Sequence, residues 1–271
     1  PGMPGDDFPP LPSPGKAEFV ELDAQDVGDL IAKTQYSMSA DDTRPHLSGA
    51  LFEGEGKVLR MVTTDGHRLC KAEHELDGPS LDFTMLVPNK CVGGLRRLVD
   101  DVKAEQKKAE GDGPARVGVA TTGGNAFFRG NDMLLSVKLA DEQFPPYSKV
   151  IPQQQNRQVV CVRQALLDSL RRISLVSNDK SGGVRLMVEP GSLRIVSENP
   201  DVGEGSEELD VDFAGEPVTI GFNAKYLVDV LSALDEDEVV LELSGELDPG
   251  VIKPSSDVGG DFVGVVMPMR I

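Results

Sequence analysis

The 271 residues suit two domains of ordinary size or three small ones, and a hydrophobic content of 39% is enough to build proper cores. A formal net charge of −18 argues against an overall basic nucleic-acid binder, although basic residues gathered on one surface would escape that exclusion. Three scattered cysteines, Cys70, Cys91 and Cys161, share no C-x-x-C spacing; this excludes a zinc ribbon and disfavours a disulfide framework, and no apolar run approaches the roughly 20 residues of a membrane span.

The cysteines are therefore expected to be buried thiols, no signal peptide is evident, and the expected location is the cytoplasm, with no membrane association. Along the chain, residues 1–16 are rich in Pro and Gly and are expected to be the remnant of a linker to an upstream neighbour. A strand over residues 18–22 leads to Asp23, a good N-cap for a helix with Val27, Leu30 and Ile31 on one face. Alternating strands follow over 47–52 and 58–64, with Gly54-Glu55-Gly56 as the turn.

Thr64-Asp65-Gly66-His67-Arg68-Leu69 comes next, and its Asp-Gly pair between alternating strands signals a hairpin with His67 on the returning strand. Asp65 and His67 could instead suggest acid–base or metal chemistry, but no second carboxylate or histidine cluster joins them, and His46 and His74 stand alone. A partner-binding hairpin is the expectation. A strand ending near Lys90 runs into a helix with Val92, Leu95 and Val99 on one face, followed by Asp100. Gly93-Gly94 weakens that helix by roughly 1 kcal/mol per glycine and is expected to permit close packing against another backbone. Strands over 116–121, 126–129 and 133–139 complete a first unit.

The plan then repeats. Val92, Leu95 and Val99 recur as Leu227, Val230 and Leu234, each 135 positions on, and Lys90 recurs as Lys225. The second unit opens with a strand over 158–162 and a helix carrying Leu166, Leu170 and Ile173. Strands over 184–188 and 193–197 then flank the turn Pro190-Gly191, and later strands cover 239–243 and 263–267. Two short helices and about eight strands per unit predict an α+β fold: two repeated domains, at 17–142 and 157–271, each with two helices packed on antiparallel sheets. Residues 143–156, with Pro145, Pro146 and Pro152, form the linker between them.

Neither Gly-x-Gly fragment opens a helix or completes a phosphate-binding loop, so nucleotide binding is rejected; no cofactor, metal or catalytic residue is expected. The cations have a pattern. Lys33, Lys90, Arg97, Arg171, Arg172 and Lys225 all fall off the core faces of predicted helices, while acids gather in loops. Ordinary solvated helix faces would look the same; the sharper reading is a cationic layer for sequence-independent phosphate contact. The apolar C-terminal run with Met267-Pro268-Met269-Arg270 fits an edge strand that ends in an adaptable binding lip.

Thr-Asp-Gly-His-Arg-Leu (64–69), Phe-Pro-x-Tyr (144–147), Ser-Asn-Asp-Lys (177–180) with Gly-Val-Arg-Leu (183–186), Gly-Phe-Asn-x-x-Tyr (221–226) and Val-Met-Pro-Met-Arg (266–270) stand in one order and spacing. In these strings, from about Phe8 onward, the chain resembles the second and third domains of the bacterial DNA sliding clamp, the beta subunit of the replicative polymerase. The resemblance implies a non-catalytic processivity factor that encircles duplex DNA without sequence preference, with helices lining the hole. It implies that the polymerase, the clamp loader and repair proteins insert short linear peptides into a pocket between the two domains. By resemblance that pocket comprises Thr64, Gly66, His67, Arg68, Leu69, Pro145, Lys149, Val150, Asn223, Tyr226, Val265, Val266, Met267, Pro268, Met269 and Arg270.

The family's N-terminal domain has no counterpart here. A homodimeric ring is therefore expected of a full-length chain, and a monomer of the residues present. Ser181 stands where a bulkier side chain can border the pocket. Two alternatives stay open: a peptide-binding adaptor that never encircles DNA, and an enzyme centred on Asp65 and His67.

Overall fold

The computed structural model describes residues 11–78, 80–109, 113–177, 182–201, 203–256 and 261–271. Ser181, the Asn-Asp-Lys string at 178–180 and the first ten residues lie outside the described residues.

The first unit runs β1 (Val20–Asp23), α1 (Ala24–Thr34), β2 (Gly49–Gly56), β3 (Val58–Thr64), β4 (Arg68–Glu75), β5 (Leu81–Pro88), α2 (Asn89–Lys108), β6 (Arg116–Thr122), β7 (Asn125–Gly130) and β8 (Met133–Lys138). The second repeats the order: β9 (Arg157–Val162), α3 (Arg163–Ser174), β10 (Gly183–Glu189), β11 (Ser192–Asn199), β12 (Gly203–Asp210), β13 (Val218–Asn223), α4 (Ala224–Ser232), β14 (Glu238–Leu243), β15 (Gly250–Pro254) and β16 (Asp261–Val266). The fold is α+β with antiparallel strand pairing throughout the described sheets. None of the described helices is long and apolar enough to cross a membrane.

Side-chain caps start two of the described helices, α1 and α4. The Asp23 carboxylate accepts from the Gln25 backbone N–H at 2.8 Å, and Asn223 caps α4 by accepting from the Lys225 N–H at 2.9 Å. Each such cap satisfies one of the donors a helix start leaves orphaned, worth about 1 kcal/mol. Val27, Leu30 and Ile31 of α1 are buried, as are Val92, Leu95 and Val99 of α2 and their counterparts Leu227, Val230 and Leu234. The α2 helix does not stop near Asp100 but runs on to Lys108. Val102, itself buried, extends the apolar stripe, and Ala104, Glu105, Lys107 and Lys108 are good helix formers that let it continue. The Gly93-Gly94 pair meets no other backbone: a Cβ on Gly94 would touch only the Leu135 side chain, and one on Gly93 would stand in open space.

Three sheets result among the described residues. Two are four-stranded, ordered β1-β6-β7-β8 and β12-β11-β10-β13. The third has eight strands, ordered β5-β2-β3-β4-β16-β15-β14-β9, and it fuses the units because β4 of the first pairs with β16 of the second. Its inner face packs on the helices. On its outer face Leu51, Val62, Leu69, Val251, Val263 and Val265 form a separate small core, roofed by Phe144, Tyr147 and Ile151 of the connecting segment. The segment between the units is thus packed down rather than slack.

Candidate functional site between the two units

The hairpin at 64–69 sits where the sheet crosses from one unit to the other. Gly66 takes φ +92°, a conformation that glycine adopts without steric cost. The Asp65 carboxylate accepts the backbone N–H groups of His67 (2.8 Å) and Arg68 (3.0 Å) and pairs with the Arg68 guanidinium at 3.1 Å. That carboxylate is occupied in holding the turn, which is a structural task. His67 is exposed, and its carbonyl accepts the Met267 N–H at 2.9 Å, tying the C-terminal segment to the hairpin.

Arg68 spans the junction. Its side chain is 8% exposed and lies with its guanidinium 4.5 Å from the Tyr226 ring centroid and 5.6 Å from that of Tyr36. Besides Asp65 it reaches Asp229 of α4 at 2.6 Å and the Tyr36 carbonyl at 2.6 Å. Burial opposes its charge, but the Asp229 hydrogen bond and the Asp65 carboxylate outweigh that and raise its pKa further. Among the described residues two more ion pairs cross between the units, Lys71 with Asp261 at 3.2 Å and Lys33 with Glu236 at 4.0 Å.

Above this lock lies a cleft of about 200 Å³. Leu69 and Val265 are directly opposed across the β4–β16 pairing, and this cross-strand pair forms the floor. Thr64, Gly66 and Arg68 border it on one side, Pro145 and Val150 on another, and Met267 on a third. His46, Leu47 and Tyr147 complete the lining, and the expectations from sequence did not include them. Tyr147 was within reach, since it ends the Phe-Pro-x-Tyr string. His46 and Leu47 come from the irregular stretch before β2, which carries no periodic signal.

The other expected site residues lie around the cleft, not in it. Val266 is fully buried under the junction, Lys149 is exposed beside Val150, Asn223 caps α4, and Tyr226 stacks on Arg68. Pro268, Met269 and Arg270 lead away across β13, where the Met269 N–H donates to the Gly221 carbonyl at 2.9 Å. A Cβ on Gly221 would collide with the Met269 carbonyl oxygen and come within 2.8 Å of Ile271. Gly221→Ala is therefore expected to lift the C-terminal segment from β13 with little change in the core. Limited carboxypeptidase digestion would show faster release of Ile271 and Arg270, and an unchanged digestion rate would refute the seating.

The cationic faces are less uniform than the helix pattern suggests. Lys90 and Arg97 are exposed and form no ion pair among the described residues. Arg171 is exposed, 3.9 Å from Asp168, and donates to Ser232 at 3.3 Å. Lys33 needs correction as an outward cation, whereas Arg172 and Lys225 point outward but each pairs with an acid. The Lys33 side chain is only 13% exposed and faces Glu236, because α1 lies against the inter-unit boundary. Arg172 is held in a two-bonded fork by Glu207, at 2.6 and 2.7 Å, and this holds the Glu207 carboxyl down at about 2. Lys225 is exposed but pairs with Asp229 at 2.6 Å, one helical turn on.

Models of two domains of one family match the chain: the central domain of the DNA polymerase III beta subunit over residues 21–146 and its C-terminal domain over 148–270. The chain belongs to the DNA polymerase III beta subunit family. It is 34% identical over 269 residues to the beta sliding clamp of Vibrio cholerae, a match that takes in 99% of this chain and 70% of that protein. The Escherichia coli beta sliding clamp is also 34% identical, over 270 residues, with the same coverage. Among solved structures, the Pseudomonas aeruginosa beta subunit superposes with a TM-score of 0.88 at 31% identity, over 99% of this chain and 71% of that one. A P. aeruginosa clamp solved bound to griselimycin gives the same TM-score and identity, over 99% and 70%. This protein is thus a sliding clamp of the DNA replication machinery, and its two repeated units correspond to the two matched domains.

Proposed function

We propose that this clamp carries its partners on duplex DNA and holds them through short linear peptides seated in the cleft at the β4–β16 junction. The observation that carries this reading is the cleft itself: an apolar floor formed by both units, roofed by a packed connecting segment and edged by an adaptable Met267. The partners are the replicative polymerase, the clamp loader and repair proteins. A related clamp from P. aeruginosa holds griselimycin, which supports a ligand-accepting role for this fold. The work is topological rather than catalytic and is done in the cytoplasm. The domains are taken as 17–142 and 157–271, joined by 143–156. A homodimeric ring around duplex DNA is the assembly this reading implies.

In this reading Lys90, Arg97 and Arg171 make weak, sequence-blind phosphate contacts, and the chain's net charge of −18 keeps DNA off the other surfaces. Lys90→Glu with Arg97→Glu is expected to weaken DNA association at low salt for any sequence. It should also reduce the salt slope by about 1 for each phosphate that is no longer neutralised. Fluorescence anisotropy over a salt series measures both effects. Equal affinity and slope in the double variant would remove the inner-face assignment, and peptide titration tests the cleft separately.

A further inference from the structure

Pro145 and Tyr147 wall the cleft on one side, and behind them lies a second hollow of about 410 Å³ that shares this ridge. Leu51 and Leu86, directly opposed across the β2–β5 pairing, form its floor. Leu139 and Phe144 rise around it, and Glu53 and Glu142 give it a polar border. The ridge is a fixed partition: the Tyr147 hydroxyl donates to Glu53 at 2.7 Å, and its ring meets that of Phe144 edge-on at 6.4 Å. Burial and the Glu53 hydrogen bond push the Tyr147 phenol up to about 12.

Both hollows open on the outer face of the same sheet and have the same construction, an apolar cross-strand pair at the bottom. One floor lies between β4 and β16, the other between β2 and β5, so three strand spacings separate them. At about 4.8 Å per strand this is roughly 14 Å, which about four extended residues cover. No Lys or Arg lines the second hollow, and Glu142 is exposed and forms no ion pair among the described residues. Glu53, in contrast, is matched by Arg60 at 3.2 Å.

We propose that the second hollow receives the continuation of the partner peptide: an apolar side chain about four residues beyond the part seated in the first cleft, next to a Lys or Arg that faces Glu142. The proposal rests on the assignment of the first cleft as the peptide site. Continuity across one shared ridge and the uncompensated negative border select this occupant.

Calorimetric titration of the protein tests it with three peptides: a Gln-Leu-x-Leu-Phe core, the core followed by Gly-Ser-Gly-Leu-Arg, and the core preceded by Arg-Leu-Gly-Ser-Gly. One extension is expected to tighten binding about tenfold, the part of a buried leucine that survives the ordering cost. The gain should vanish in Thr84→Lys and in Glu142→Lys, both at exposed positions, while the core peptide keeps its affinity. No gain from either extension, or a gain that survives both substitutions, would overturn the second site and leave the first cleft standing. Failure of the core peptide to bind at all would overturn both.

Discussion

Arg68→Ala is expected to lower the unfolding free energy by about 3 kcal/mol, the low end of what removing one partner from a buried ion pair costs. The side chain is 8% exposed and joins Asp65 and Tyr36 of the first unit to Asp229 and Tyr226 of the second. Removing it strands the Tyr36 carbonyl and empties the space between two rings. The loss stays at the low end because Asp229 keeps Lys225 and Asp65 keeps two backbone N–H groups. At roughly 2–4 °C per kcal/mol for a chain approaching this size, scanning calorimetry should show a drop in Tm of about 6–12 °C. Arg68→Lys should recover only part of this, since an ammonium cannot fork to two carboxylates and a carbonyl while stacking on a ring. An alanine variant as stable as the wild type would show that the β4–β16 ladder alone holds the units together.

Val150→Asp is expected to weaken a core clamp-binding peptide by about a hundredfold with little change in Tm. Val150 lines the cleft yet is 42% exposed, so a carboxylate there stays hydrated in the free protein. Only on binding is it pressed against an apolar partner, where its desolvation adds to the apolar burial that valine no longer supplies, each worth roughly 1–3 kcal/mol. Met267→Asp, at 37% exposure, should behave similarly. Leu69→Asp should also abolish binding, but it is a poor probe of the cleft by itself. Leu69 is 2% exposed within the small core beneath the connecting segment, and a buried charge there should unfold the roof as well. Titration calorimetry read beside thermal melts separates the two cases. Near wild-type affinity in the Val150 variant would place the peptide elsewhere.

The sequence by itself determined the helices, most of the strands and their repetition. It did not determine β12, whose acid-rich run at 203–210 lacks a strand's apolar alternation and reads as loop, nor the short β15. The helix stripe of Val92, Leu95 and Val99 and its copy 135 positions on were legible because a core-facing helix must place apolar residues every three to four positions. The Asp65-Gly66 turn and the Asp23 cap were legible because each answers a local backbone need with a side chain a few atoms away. Distant strings matching a known family supplied most of the cleft. The tertiary structure alone decided what long-range contact decides. Lys33, Arg172 and Lys225 carry the same charge on the same kind of helix face as Lys90 and Arg97. Which of them are neutralised depends on Glu236, Glu207 and Asp229, and two of those three acids come from elements distant in the chain. His46 and Leu47 enter the cleft from a segment without periodicity, and the pairing of β4 with β16 supplies the facing floor residue Val265. Periodicity records which side of an element faces a core, but a pairing between strands nearly 200 positions apart leaves no periodic trace in either one.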